Sequence, residues 1–189
     1  MRFQYSVLGL VTILGLTSVA LPAQANSSQV LGFFAESSGD LYAKGVAIAW
    51  RQSDNSPYYA DVGLSYQQLR LRDTPAEYRR DQISPFFVTG RVGIKAPVSP
   101  YFQVGVDVAH LVKSIFEEYG ESCCNINAQL GVTLLADSPV QIDLYGTWYS
   151  VKYSTGYSQD RYQNDRWQSR DEYKRFSPLG LGVRLSLLF

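Results

Sequence analysis

The chain is poor in the residues from which metal and catalytic sites are usually assembled. Among 189 residues there is one histidine, His110, and there are two cysteines, adjacent at Cys123 and Cys124. Without further His or Cys nearby, no set with metal-ligand spacing can be completed. Neither sign of charge is in excess, since 17 Lys and Arg balance 17 Asp and Glu, and such a balance does not fit a nucleic-acid partner. Beyond residue 25 no apolar run approaches the roughly 20 residues that a membrane-spanning helix needs.

The start of the chain reads as an export signal. Arg2 gives a positive start, residues 7–16 an apolar core, and Leu21-Pro22-Ala23-Gln24-Ala25 a small-residue cleavage site. Residues 1–25 are therefore expected to be removed as a signal peptide. Residues 26–189 then make one domain, because they leave no room for a second. No Cys stands near the cleavage point, which excludes a lipoprotein anchor.

What the chain does have is aromatic residues, with 14 Tyr, and a strong alternation of period two. Such alternation is the mark of strands with one apolar and one polar face. In the last segment Leu179, Leu181, Val183, Leu185, Leu187 and Phe189 alternate with Gly180, Gly182, Arg184 and Ser186. Five further segments repeat the pattern around Val140 to Trp148, Ile126 to Leu134, Phe102 to Val108, Phe86 to Ile94 and Tyr58 to Tyr66. A seventh follows Val46, Ile48 and Trp50, and an eighth is expected in residues 29–36, where Val30, Leu31, Phe33 and Phe34 do not fix which face is which. Links at 52–57, 96–99 and 136–138 are short, whereas those at 72–82, 112–125 and 154–173 are long. Short turns alternating with long loops, and an even strand count, predict an all-β fold: an eight-stranded antiparallel up-and-down transmembrane β-barrel. The competing fold is a soluble sandwich or lipocalin-like barrel, in which the apolar face would point inward. The smaller face carries Asp61, Arg91, Asp107, Asp143 and Arg184 with several glycines, which suits a narrow polar lumen. An eight-stranded barrel leaves only enough interior for side chains to fill, so these charges are expected to pair into a plug.

These strands resemble the small outer-membrane β-barrel superfamily, which includes the OmpA-type transmembrane domain, the OmpX and Ail-type barrels and the opacity-like proteins. The resemblance covers the whole segment after the export signal and is most specific in the terminal strand. There Leu185, Leu187 and Phe189 resemble the signal read by the outer-membrane assembly machinery, although Arg184 and Leu187 stand where the pattern favours Gly and an aromatic residue. The resemblance implies a cell outer-membrane location, with outer-membrane lipid and lipopolysaccharide as surroundings.

Chemistry for catalysis is thin. A lipid-A deacylase of barrel type would carry His-x-Ser on a strand, but two residues after His110 comes Val112, so the motif fails. Cys123 and Cys124 would meet an oxidising compartment as a strained adjacent disulfide, an intermolecular pair or free thiols. The fourth long loop is the best binding candidate, because Arg161, Arg166 and Arg170 are interleaved with Tyr162, Trp167 and Tyr173, the residue types enriched where interfaces carry their energy. Arg70, Arg72, Arg79 and Arg80 add to it, and arginine forks suit lipopolysaccharide phosphates. The expectation is a non-enzymatic barrel without cofactor, structural or interactive through its outward loops and an extracellular ligand. A lipid-A-modifying enzyme and a narrow ion channel are the alternatives.

Overall fold

The computed structural model describes residues 27–38, 41–52, 55–72, 82–108, 125–163 and 166–189, with the backbone alone for residue 27, for 153–174 and for residue 176. The export segment, Arg79, Arg80, His110, Cys123 and Cys124 lie outside the described residues.

Among the described residues ten strands form one antiparallel system: β1 (Ser27–Ser37), β2 (Leu41–Gln52), β3 (Tyr58–Leu71), β4 (Gln82–Ile83), β5 (Phe86–Ile94), β6 (Val98–Asp107), β7 (Ile126–Leu134), β8 (Val140–Gln163), β9 (Arg166–Phe176) and β10 (Leu179–Leu188). Eight of them are staves of a closed barrel. Successive staves pair as neighbours, β10 pairs with β8, and β10 then returns to β1 from Val30↔Leu188 to Ser37↔Leu181. Gln29 N–H donates to Phe189 O at 2.8 Å and Phe189 N–H donates to Gln29 O at 3.0 Å, which seals the seam at the chain termini. Closure matters because an open edge in hydrocarbon would strand backbone N–H and C=O groups at several kcal/mol each. The two strands outside the barrel wall are β4, which pairs with Leu69 and Arg70 of β3, and β9.

The fourth link departs from expectation. Residues 154–173 were expected as a loop, but β8 runs on to Gln163 and pairs with β9, with a register shift between Ser154 and Ser158. Only the first part of β8, up to Ser150, touches β7. The rest, 151–163, continues as a two-stranded ribbon that would reach about 40 Å at the usual rise per strand residue. Alternation could not reveal it, because a two-stranded ribbon beyond the barrel wall does not divide an enclosed lumen from an outer surface, and so nothing imposes opposite demands on its alternate residues. A smaller difference lies at β6, where Val98 and Ser99 already pair with Leu134 and Thr133 of β7, so the turn before it is shorter than 96–99.

Inside the wall, bulky rings lie against glycines. Tyr59 faces Gly93, Tyr101 faces Gly131, Phe34 faces Gly45, and Tyr145 stands between Gly131 and Gly182. A Cβ on Gly182 would lie 2.6 Å from the Tyr145 ring and 2.7 Å from Glu36 Cγ. Gly182→Ala is therefore expected to cost about 1–3 kcal/mol by overpacking. Gly90, whose added Cβ meets nothing within 4 Å, supplies the control, and Gly90→Ala should stay within about 0.5 kcal/mol of wild type. Urea unfolding in lipid vesicles measures both. At the end of the barrel away from the termini, Leu41, Ala43, Leu69, Leu71, Tyr149 and Val151 form an apolar lid over the polar interior.

Candidate functional site

Each stave sends alternate residues inward, and the side chains that meet there form one connected polar assembly. Near the termini, Arg51 sits directly across from Asp61, and Asp61 directly across from Arg91. Arg51 grips Asp61 with two bonds, Nε to Oδ1 at 2.8 Å and an Nη to Oδ2 at 3.0 Å, the paired geometry in which a guanidinium binds carboxylate most strongly. Arg91 reaches across the lumen to Asp143 with bonds of 3.0 and 3.2 Å, and its Nε stands 4.0 Å from Asp61. Thr133 accepts from Arg91 at 2.6 Å and donates to Asp143 at 2.7 Å. Arg184, opposite Asp143 on the neighbouring strand, lies 3.6 Å from the same carboxylate. Charges thus alternate from β2 to β10 as Arg51, Asp61, Arg91, Asp143, Arg184. The cations also lie on rings, with Arg91 3.5 Å above Tyr101 and Arg51 4.4 Å above Tyr59, where the ring quadrupole favours them.

Above this row is a second centre built on Glu36. Its Oε1 accepts from Tyr145 at 2.9 Å and from Gln129 at 3.2 Å, while its Oε2 accepts a short bond from Tyr149. Arg184 donates to Gln129 at 2.7 Å, so the two centres are continuous. Gln141 ties the lower end to the turn, accepting from Arg51 at 3.2 Å and donating to the Ala136 carbonyl at 2.7 Å.

Of the five charges expected in the lumen, four meet in one cluster. Asp107, although buried, lies two inward positions above that level, opposite Phe87, and its carboxylate accepts from Asn125 at 2.9 Å. Sequence reasoning missed Arg51 and Glu36. Arg51 continues the inward parity of Gly45, Ala47 and Ala49 by one step, so extending that strand one residue past Trp50 would have found it. Glu36 carried no such signal, because Val30-Leu31 and Phe33-Phe34 put apolar residues on both faces of β1. The structure turns Val30, Gly32, Phe34 and Glu36 inward.

The outer surface has the opposite character. Leu181 is 77% exposed, Leu179 74%, Leu130 70% and Val62 62%, whereas Asp61, Arg91 and Asp143 inside are at most 5% exposed. A soluble barrel buries its apolar face; this one exposes it around the wall and hides its charges. Trp50, Tyr58 and Phe189 face outward near the termini, Tyr42, Tyr66, Phe86 and Trp148 towards the other end, with aliphatics between, the girdle pattern of a wall that spans lipid. Strands β5, β6, β7 and β10 have 9, 10, 9 and 10 residues, the length that crosses the hydrocarbon core when tilted. The chain is a membrane β-barrel.

No family model matches the barrel, and no curated protein is detectably similar to it. Among solved structures it is similar to the crystal structure of Neisserial surface protein A, at 12% identity and a TM-score of 0.41, over 84% of this chain and 94% of that one.

Two further sequence-derived sites fall within the described residues. Leu185, Leu187 and Phe189 point outward on the closing strand, 50%, 41% and 66% exposed. The ribbon pairs Tyr162 with Trp167, Arg161 with Gln168, Gln163 with Arg166, Gln159 with Arg170 and Ser154 with Tyr173. Directly paired positions share a face of a sheet and alternate along each strand, so positions 161, 166 and 170 fall on one side of the ribbon and 162 and 167 on the other.

Proposed function

We propose that this barrel is a non-enzymatic outer-membrane protein that anchors the β8–β9 ribbon outside the membrane as an interaction surface. The observation that carries this reading is the ribbon itself, continuing past the last β7 pair at Ser150 with three arginine positions on one side. In barrels of this kind the termini and short turns face the periplasm, which would put the ribbon on the cell surface. There the arginine side would meet lipopolysaccharide phosphates, which accept the planar fork bidentately, and the side of positions 162 and 167 would be free for an extracellular ligand. The Leu185, Leu187 and Phe189 stripe would be offered to the assembly machinery before the seam closes.

Arg161→Gln combined with Arg166→Gln and Arg170→Gln tests the reading. Added lipopolysaccharide should raise the temperature at which the wild-type barrel loses its fast gel mobility, and should do so far less for the triple variant. The difference should shrink as salt is raised, since exposed pairs are screened. An equal rise in both proteins would remove the ribbon from lipopolysaccharide binding. The enzyme alternative predicts lipid-A mass spectra altered by the gene. The channel alternative predicts resolvable conductance in planar bilayers, against which the row of ion pairs spanning the lumen argues.

A further inference from the structure

An open groove of about 610 Å³ crosses the outside of the wall near the rim of the chain termini, a volume in the roughly 300–1,000 Å³ range of small-molecule sites. Its floor is backbone. Tyr59, Gly93 and Tyr101 are paired neighbours on β3, β5 and β6, and the two tyrosine rings turn into the lumen, where they are 6% and 3% exposed. Its banks are the outward residues on either side of that row, Tyr58 and Ile94 towards the rim and Ala60, Val92 and Phe102 towards mid-wall. Leu130 of β7, paired with Phe102, closes the far end. Ala60 deepens the groove, because the outward positions that follow it on β3 carry the larger Val62 and Leu64.

What covers the groove follows from where it lies. It is set in the wall that spans lipid, so hydrocarbon is what it meets, and an unfilled hollow would cost its lining the dispersion contacts that a filled one makes. A flexible chain can enter it. The wall of a second barrel is convex and would rest on the banks, where Tyr58 and Phe102 are 61% and 47% exposed. The two ends of the groove also differ in polarity. Phe102 and Leu130 make the far end apolar, whereas the near end reaches Gln52 and Ser56. Lys95 N–H donates to the Pro57 carbonyl at 2.7 Å, which brings an exposed lysine to the same end, and a lysine at a membrane surface attracts anionic head groups. An apolar trough with a hydrogen-bonding, cationic mouth matches an amphiphile that joins a hydrocarbon chain to a phosphate.

We infer that the groove between Tyr58 and Leu130 holds one acyl chain of a phospholipid, whose phosphate lies at the rim beside Lys95 and Ser56. The site rests on the membrane reading but not on the ribbon, and the orientation proposed above puts the lipid in the periplasmic leaflet.

The test folds the mature chain in vesicles of phosphatidylethanolamine and phosphatidylglycerol, transfers it to mild detergent and counts retained phospholipid by native mass spectrometry. Wild type should keep one molecule. Ala60→Trp, which fills the groove with an apolar ring and puts no polar group into lipid, should lose it, whereas Leu181→Trp, which adds a ring to the wall away from the groove, should keep it. Lys95→Gln should weaken retention by up to about fivefold, the worth of an exposed ion pair, and leave retention of diacylglycerol unchanged. Fast gel mobility before boiling shows that each variant is folded. A wild-type barrel that needs detergent yet carries no phospholipid, or an Ala60→Trp variant that retains as much as wild type, overturns the groove site alone. A chain that stays dissolved without detergent sinks the membrane reading and the lipid with it.

Discussion

Asp143→Ala is expected to destabilise the barrel by about 3–5 kcal/mol, the cost of leaving buried charges without their partner. Asp143 is the carboxylate on which two lumen cations converge: Arg91 gives it two bonds, Thr133 one, and Arg184 approaches to 3.6 Å. Removing it strands two guanidiniums in a space that the lipid-facing wall and the apolar lid keep from bulk water. Asp143→Asn keeps the shape and one acceptor oxygen but loses the charge, so its loss should fall between the alanine variant and wild type. Arg91→Met combined with Asp143→Leu should cost less than Asp143→Ala alone, because replacing both members of a buried pair by apolar groups removes the desolvation penalty together with the attraction. Equilibrium urea unfolding in lipid vesicles, followed by tryptophan fluorescence, measures all three. A loss below about 1 kcal/mol for Asp143→Ala would mean that water reaches the arginines, since exposed pairs are worth no more than that. The lumen would then be a wet passage and the channel reading would gain.

The barrel was legible because lipid and lumen impose opposite demands on alternate residues, and that contrast is written into β3, β5, β6, β7, the first half of β8 and β10. It was least legible where one demand lapses. On β1, Val30 turns inward opposite Ala49 and Phe34 opposite Gly45, while Leu31 and Phe33 turn outward, so both faces are apolar and Glu36 could not be assigned. Beyond Ser150 neither demand acts, and the strand pairing of 154–173 passed for a loop. The charged cluster was legible as a set but not as a geometry. Inward parity named Asp61, Arg91, Asp143 and Arg184, while the partner of Asp61 is Arg51, and Asp107 sits higher beside Asn125. Which charges pair depends on the stagger between strands, and residues far apart in the chain, such as Arg91 and Asp143, meet only after the sheet has closed.

Leu130→Arg is the second large effect, and it addresses the direction in which the apolar face points. Leu130 lies mid-strand on β7, paired with Phe102 on one side and Gly146 on the other, and is 70% exposed. A substitution at so exposed a site on a soluble protein would change stability by no more than about 0.5 kcal/mol, because the new side chain would simply enter water. On a lipid-facing wall it puts a guanidinium into the middle of the hydrocarbon, at a cost of about 2–4 kcal/mol that declines towards either interface. Leu187→Arg, close to the chain-terminal rim, should therefore cost clearly less than Leu130→Arg in the same vesicles. The gradient between the two positions is the decisive quantity. A general intolerance of the fold to arginine would lower both alike, whereas only a bilayer makes the penalty depend on depth. Equal small losses would mean that the exposed aliphatics face water or another protein, and the membrane assignment would have to be withdrawn.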